Sequence, residues 1–214
     1  MSTEKESHNA FLGLHLRAKN INRWPLMSVF KEELLSTHIY ETSVIAHLLG
    51  VIAKVVYNED VNPERVSAMA TFHEGSEVAG MGDIPSPVKY SSPQVSEMFK
   101  SLENEFETGL LNTLPAELRE YYQPLIKQDK NEIHARLAKS SDLIAAFLKC
   151  KYEISKNNME FSAALEQQTL LLEREAERFP CVKYFIEHFL ADASTTIDEQ
   201  AKGLNWIENT NLDK

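Results

Sequence analysis

Apolar and small residues recur every three or four positions along most of the chain, the spacing of one face of an α-helix. Between residues 36 and 57 this face is formed by Ile39, Ser43, Ala46, Leu49, Ala53 and Val56. Glycine is scarce, at seven residues, and the β-branched alternation that is typical of strands is absent from the sequence. The pattern therefore predicts an all-α fold.

Proline and glycine divide this helical pattern into further elements. Asn62-Pro63-Glu64 is typical of a helix start, with Asn as the N-cap and Pro in the first turn. It predicts a helix over residues 63–80, followed by an ordered loop over 81–90 that contains Gly82, Pro85 and Pro87. The other predicted helices cover residues 92–112, the segment between Pro115 and Pro124, and residues 131–156, 159–179 and 182–190.

The length of the chain, 214 residues, predicts a single domain over residues 1–214 with a polar, loosely held tail after about residue 198. The net charge of −10 argues against binding of long nucleic acid, which requires a basic surface. It does not argue against a small phosphorylated substrate, because a local group of cations can hold one phosphate.

Two further features predict the compartment. No run of 18 apolar residues occurs, and residues 1–6 are polar and acidic, so we expect neither a membrane span nor a secretory signal. The two cysteines, Cys150 and Cys181, lie in apolar surroundings and are expected to be buried free thiols. We expect a cytoplasmic protein.

Two histidines and two carboxylates form the most informative group of residues. His38, the adjacent pair His73-Glu74, and Asp142 each lie in a helical run. Imidazole and carboxylate ligands suit divalent transition ions in a helical bundle. His73 and Glu77 are four residues apart and would share a helix face, whereas Glu74 is rotated by about 100° from His73 and would reach the same pocket from its flank.

Interpretations without a metal compete with this hypothesis. His73 could be a core histidine beside solvated glutamates, and the spacing does not choose between His38 and His47 as a ligand. Asp142 lies in an otherwise apolar run, residues 142–148. An ionised carboxylate there requires compensation, from a metal or from Lys139.

Four further residues are candidates for substrate binding. Arg23 is suited to bidentate contact with phosphate, and Trp24 is suited to stacking on a base. The sequence is equally compatible with Arg23 in a structural salt bridge and Trp24 packed in the core. Asp83 and Lys89 lie in the predicted loop, where they would contact a sugar hydroxyl and a phosphate or simply be loop charges.

Five segments together resemble the bacterial HD-domain 5′-deoxynucleotidase family. They are residues 21–27 (Ile-Asn-Arg-Trp-Pro-Leu-Met), His38, residues 73–78 (His-Glu-Gly-Ser-Glu-Val), residues 82–90 (Gly-Asp-Ile-Pro-Ser-Pro-Val-Lys-Tyr), and Asp142 with residues 147–150 (Phe-Leu-Lys-Cys). Their order matches the family from about residue 10 to 190. The resemblance implies an HD-domain helical bundle, often a homodimer, that hydrolyses deoxyribonucleoside 5′-monophosphates with a divalent metal such as Co or Mn.

The resemblance also implies roles for individual residues. The metal ligands would be His38, His73, Glu74 and Asp142, and Glu77 would be the acid/base group. Arg23 would contact phosphate, Trp24 would shape the sugar and phosphate site, and Asp83 would lie near the deoxyribose.

The chain departs from the family pattern at several positions. Glu74 replaces the Asp of the His-Asp pair, Thr37 and Ile39 flank the first histidine in place of Glu and Ser, Ser141 replaces Ala, and the segment between Glu77 and Asp83 is one residue longer. Two rival hypotheses follow: a catalytically weakened nucleotide-binding or regulatory protein, and a hydrolase of another phosphoester or a nucleoside triphosphate.

Overall fold

The structure, a computed structural model, describes residues 9–204. Within that range the chain forms ten α-helices, which confirms the predicted all-α fold. The helices are α1 Phe11–His15, α2 Leu35–Val55, α3 Pro63–Phe72, α4 Ser86–Lys89, α5 Pro93–Asn112, α6 Ala116–Ile126, α7 Ile133–Ser155, α8 Ser162–Arg178, α9 Pro180–His188 and α10 Ile197–Lys202. Three 3₁₀ turns, Leu16–Asn20, Met159–Phe161 and Asp192–Ser194, and one π-helical turn, Glu77–Met81, connect them.

The main hydrophobic cluster lies where α2, α3 and α7 pack on one another, with α8 and α9 closing its far side. Gly50 on α2 allows the closest of these approaches. A Cβ atom at this position would lie 2.7 Å from the Cα of Pro63, the first residue of α3. Because backbone atoms cannot yield as a flexible side chain can, this glycine sets the distance between α2 and α3.

A second hydrophobic cluster is formed mainly by residues of the π-helical turn, α5, α6 and the start of α2. It consists of Ala18, Leu35, Val78, Leu110, Leu111, Leu114 and Ile126. Phe72, at the end of α3, and Tyr122 on α6 pack against both clusters. The two aromatic rings meet edge to face with centroids 5.4 Å apart, so they join the clusters into a continuous apolar region.

The segment after α3 differs from the predicted helix over 63–80. The α-helix ends at Phe72, and a π-helical turn occupies Glu77–Met81. Gly80 within it has φ of 137°, a conformation that side chains with a Cβ rarely adopt. The expectation of one continuous helix was therefore wrong, and the interruption lies directly after His73.

Other predicted boundaries also need correction. The segment predicted as a loop over 81–90 contains α4, and α6 continues through Pro124 to Ile126. Near residue 198, where the polar tail was expected to begin, the chain forms α10, which starts with a capping box between Thr196 and Glu199 and buries no residue. The expectation of a loosely held tail stays a prediction. The helix α1 was not predicted. Residues 205–214 of the predicted tail lie outside the described residues.

The loop over residues 24–33 crosses the bundle and is fixed at both ends. A single β-bridge, Asn22 to Leu34, joins its flanks. Its middle is held by Glu153 at the end of α7, whose carboxylate accepts hydrogen bonds from the backbone N–H groups of Phe30 (2.7 Å) and Lys31 (3.3 Å). Glu153 is fully buried, so this is an internal anchor.

The expected state of the two cysteines is confirmed in the described residues. Cys150 and Cys181 are buried free thiols. Among residues 9–204, no helix has the length and apolar character needed to cross a membrane.

Candidate metal centre and its surroundings

The packing of α2, α3 and α7 brings the four predicted metal ligands together. His38 lies in the first turn of α2, His73 and Glu74 follow the end of α3, and Asp142 lies near the middle of α7. One nitrogen or oxygen from each falls within 4.8 Å of all the others. His47, which the sequence left as an alternative to His38, is exposed and lies outside this group.

The separations between these atoms suit a shared ion. From Nε2 of His38 the distances are 3.1 Å to Asp142 Oδ1, 3.3 Å to His73 Nε2 and 3.4 Å to Glu74 Oε1. Ligands about 2.1 Å from a tetrahedral ion lie about 3.4 Å from one another. Two imidazole nitrogens and two carboxylate oxygens at this spacing therefore fit a divalent transition ion.

Each imidazole presents the same ring atom, Nε2, to the centre of the group. Nδ1 of His73 donates to the backbone carbonyl of Ala70 at 2.5 Å, so in the neutral ring, the form that ligates a metal, the lone pair lies on Nε2. Nδ1 of His38 lies 3.7 Å from Glu33 Oε1, and the hydroxyl of Thr42 lies beside the ring, 3.5 Å from Nδ1 and 3.4 Å from Nε2.

The two carboxylates make the centre attractive to a cation. Burial opposes the charged form of His73, but Glu74 and Asp142 outweigh it and raise its pKa to about 10. Burial likewise opposes ionisation of Glu74 and Asp142, but the cations beside them hold the pKa of each carboxyl well below its usual range. Both carboxylates are therefore ionised at neutral pH, as metal ligands need to be.

Glu74 reaches the centre, but along a different backbone path from the one predicted. Its Oε1 lies 3.0 Å from His73 Nε2. The predicted approach from the flank assumed a continuous helix, whereas Glu74 follows the end of α3, where the chain leaves α-helical geometry. The longer side chain of Glu, compared with Asp, spans the remaining distance.

Asp142 combines the two alternatives that the sequence left open. Its Oδ1 points to His38, while Oδ2 accepts a hydrogen bond from the exposed Lys139 at 2.5 Å. One oxygen is therefore compensated by an ammonium group and the other faces the centre.

Glu77 lies beside Glu74 and is partly buried. Its Oε2 atom is buried and has no hydrogen-bond partner in the described residues. Burial, with Glu74 and Asp83 nearby, raises the pKa of Glu77 to about 10. A carboxyl group in these surroundings holds a proton at neutral pH, which is the requirement for a general acid.

Arg23 and Trp24 are connected to the centre through Glu33. The Arg23 guanidinium lies 3.3 Å from Glu33 Oε1, and Trp24 Nε1 donates to Glu33 Oε2 at 2.7 Å. The Trp24 ring also packs against Phe161, with centroids 5.3 Å apart. Burial opposes the charge on Arg23, but the carboxylates around it, Glu33 foremost, raise its pKa.

Asp83 and Lys89 differ in their relation to this group. Asp83 Oδ2 accepts a hydrogen bond of 2.7 Å from the backbone N–H of Trp24, whose φ is 61°. It thus connects the loop after the π-helical turn to the Arg23-Trp24 segment. The Lys89 ammonium pairs with Glu103 on α5, a residue outside the four-residue centre.

Sequence reasoning missed Glu33. It is 7% exposed and contacts Arg23, Trp24 and His38 at once. In the sequence it stands beside Lys31 and Glu32, where it resembles an ordinary surface charge. Only its position immediately before Leu34 and Leu35, at the start of an apolar face, offered any signal.

The fold and the site place this chain in the class of HD-domain phosphohydrolases. In it, three packed helices bring two histidines and two carboxylates together. A crystal structure of an HD-domain phosphohydrolase from Listeria innocua superimposes with a TM-score of 0.75 at 25% identity, covering 85% of this chain and 87% of that one. The fold is shared more distantly with the cyanophage S-2L HD phosphohydrolase DatZ, solved with dA and one catalytic Zn²⁺ ion. Here the TM-score is 0.53 at 19% identity, covering 84% and 96% of the two chains.

The sequence profile of the family described as 5′-deoxynucleotidase YfbR-like matches residues 10–193. A 5′-deoxynucleotidase of Erwinia tasmaniensis is 37% identical over 195 residues, covering 90% of this chain and 96% of that protein. The chain belongs to the YfbR-like 5′-deoxynucleotidase family, as the resemblance predicted.

Proposed function

We propose that this protein is a metal-dependent phosphohydrolase that converts deoxyribonucleoside 5′-monophosphates to deoxynucleoside and phosphate. The observation that carries the proposal is the convergence of His38, His73, Glu74 and Asp142 within 4.8 Å. Family membership supports the substrate class, and the net charge of −10 favours a small phosphorylated substrate over long nucleic acid.

We assign the metal to these four residues, as Co, Mn or another transition ion. Four protein ligands of mixed nitrogen and oxygen type suit several of these ions, so ligand chemistry alone does not choose among them. When bound, such an ion supplies Lewis acidity, which lowers the pKa of a coordinated water and offsets charge on phosphoryl oxygens.

The remaining residues bind the substrate and move protons. Arg23 supplies a fixed guanidinium for the phosphate. Trp24 and Asp83, joined by their hydrogen bond, form the side of the site assigned to the sugar. As the oxygen of a water molecule bonds to phosphorus, the bond from phosphorus to O5′ breaks and Glu77 gives its proton to O5′. The proton that the water loses restores the neutral carboxyl of Glu77. Lys89 is assigned to the substrate as a second cation, which would exchange its pairing with Glu103 for the phosphate.

We also propose that the protein is a cytoplasmic homodimer. The family resemblance supports the dimer, and the buried free thiols Cys150 and Cys181 suit a reducing compartment. Light scattering on the purified protein tests the dimer directly, since the monomer mass is 24.4 kDa.

The experiment that tests the function is phosphate release from 5′-dAMP. Protein stripped of metal is supplied again with Mn²⁺ or Co²⁺ and assayed beside the variants Glu74→Asp and His73→Ala, with AMP and dATP as competing substrates. We expect metal-dependent release from dAMP by the unaltered chain, less release from AMP and dATP, and none above background from His73→Ala.

The rival hypotheses give different results. If the unaltered chain releases no phosphate and the Glu74→Asp variant does, then Glu74 has shifted the protein towards nucleotide binding or regulation. If the protein hydrolyses dATP or another phosphoester faster than dAMP, it is a hydrolase with a different substrate. No release with any nucleotide or metal, from either protein, would contradict the proposal.

A further inference from the structure

The inference concerns Glu33, a buried carboxylate outside the four-residue centre. Its side chain is 6% exposed, and its two oxygens are shared among three residues. Oε2 accepts from the Trp24 indole at 2.7 Å, while Oε1 lies 3.3 Å from Arg23 Nη1 and 3.7 Å from His38 Nδ1. A buried charge is costly unless it is compensated, and here the guanidinium and the indole N–H provide the compensation.

On one side, Glu33 acts on the orientation of His38. A negative charge 3.7 Å from Nδ1 favours the tautomer with the proton on Nδ1, so that the Nε2 lone pair points to Asp142, His73 and Glu74. A histidine that ligates a metal commonly relies on a carboxylate at its other nitrogen, and loss of that partner costs about 10–100-fold in metal affinity.

On the other side, Glu33 fixes the segment assigned to the phosphate. The backbone N–H of Arg23 donates to the Glu33 carbonyl at 2.9 Å, so both the main chain and the side chain of Glu33 hold Arg23. The indole contact does the same for Trp24, whose backbone is held in turn by Asp83.

We propose that Glu33 is a positioning residue that couples the metal ligand His38 to the phosphate-facing segment Arg23-Trp24. This inference rests on the proposed function for the role of Arg23, and it adds a residue that the sequence did not suggest. A change at Glu33 is expected to disturb the metal centre and the phosphate site together, although Glu33 touches neither ion nor substrate.

The test compares Glu33→Gln with Glu32→Gln. Both variants remove one negative charge at adjacent positions, but Glu32 is exposed. In Glu33→Gln one carboxylate oxygen becomes an NH₂ group, which donates hydrogen bonds. This group would then face a donor, either the indole of Trp24 or the Arg23 guanidinium and His38 Nδ1. We expect the affinity of metal-stripped protein for Mn²⁺, measured by calorimetric titration, to fall at least tenfold in Glu33→Gln and less than twofold in Glu32→Gln.

A double-mutant cycle tests the second half of the coupling. If Glu33 acts on catalysis partly through Arg23, then Glu33→Gln lowers kcat/KM for dAMP by a smaller factor in an Arg23→Ala background than in the unaltered chain. Equal factors in both backgrounds would overturn the coupling to Arg23. Equal Mn²⁺ affinity in Glu33→Gln and Glu32→Gln would overturn the coupling to His38.

Glu33→Asp keeps the test informative if Glu33→Gln does not fold. Asp retains the charge but withdraws it by one methylene, so we expect a folded protein whose Mn²⁺ affinity lies below that of the unaltered chain. A folded Glu33→Asp with undiminished affinity would assign Glu33 to folding alone and overturn the proposal. The Mn²⁺ titration requires no turnover, so failure of the proposed hydrolysis would be recognised separately in the dAMP assay.

Discussion

Glu77 shows how the surroundings of one residue give it a chemical role. Its unpartnered oxygen and the two neighbouring carboxylates favour the neutral acid. In a phosphoester hydrolysis the departing alkoxide requires a proton, and a neutral carboxyl beside the centre is suited to provide it.

We predict that Glu77→Gln lowers kcat for phosphate release from dAMP by about 100-fold or more, because the amide retains the shape of the side chain but provides no acidic proton. The measurement is kcat at saturating Mn²⁺, together with Mn²⁺ affinity, which we expect to change by less than about threefold. Glu105→Gln, an exposed change on α5, is the control. A kcat for Glu77→Gln equal to that of the control would contradict the assignment.

Most of the departures from the family pattern have a local explanation in the structure. Ser141 is buried and donates its hydroxyl to the Ala138 carbonyl at 2.6 Å, so it is satisfied within α7. Thr37 is exposed, and Ile39 packs against the second hydrophobic cluster. Among these substituted side chains, Glu74 is therefore the one that lies in the centre itself. For this reason the activity assay includes the Glu74→Asp variant.

At the scale of elements, the π-helical turn explains the extra residue between Glu77 and Asp83. The backbone N–H of Gly82 donates to the Glu77 carbonyl at 3.2 Å, five residues back. Such a turn accommodates one residue more than an α-helical turn does. The insertion is thereby absorbed locally, and Asp83 still reaches the backbone of Trp24.

The loop over residues 24–33 depends on its anchor at Glu153. Besides two backbone N–H groups, this carboxylate accepts hydrogen bonds from Lys149 and Asn158. We predict that Glu153→Gln lowers the free energy of unfolding at pH 7 by about 2 kcal/mol, the value of hydrogen bonds to a charged group. The measurement is urea unfolding, with the exposed Glu166→Gln on α8 as control.

The pH dependence of this anchor has a definite sign. Burial opposes ionisation of Glu153, but its hydrogen bonds from Lys149, Asn158 and the loop backbone hold its pKa at about 2, against 4.5 for an ordinary Glu. The anchor therefore contributes stability above about pH 4.5 and loses it as the pH falls towards 2. The difference between the unaltered chain and Glu153→Gln should shrink over that interval, and a difference that is constant down to pH 2 would refute the account.

At the scale of the whole molecule, the expectation of one domain remains a prediction. The two hydrophobic clusters meet through Phe72 and Tyr122, which supports cooperative unfolding of the described part of the chain. We predict that Leu49→Ala in the main cluster and Leu110→Ala in the second each lower the midpoint of one common transition, at a cost of about 2–5 kcal/mol.

The test is thermal unfolding followed by far-ultraviolet and near-ultraviolet circular dichroism, in which coincident curves indicate a single transition. Val55→Ala, at an exposed position on α2, should leave the midpoint nearly unchanged. Two separate transitions, each shifted by only one of the two leucine variants, would show that the clusters belong to independent units.

The features that depend on local spacing were predictable from the residues alone. Helical periodicity, the Asn62 cap and the scarcity of glycine specified the all-α fold and most helix positions, because these properties act within a few residues. The residue types at His38, His73, Glu74 and Asp142 made a metal site one interpretation of the sequence, because imidazole and carboxylate are the ligands that divalent transition ions take. The resemblance to the family favoured that interpretation over a core histidine beside solvated glutamates.

Which of these residues come into contact depends on how the helices pack. The choice of His38 over His47 depends on which face of α2 packs against α3 and α7, and the reach of Glu74 depends on α3 ending at Phe72. Glu33 was not distinguishable from Glu32 in the sequence, since its role arises from burial against Arg23, Trp24 and His38. These contacts join residues that are distant along the chain, and local sequence patterns do not encode which helix faces pack together.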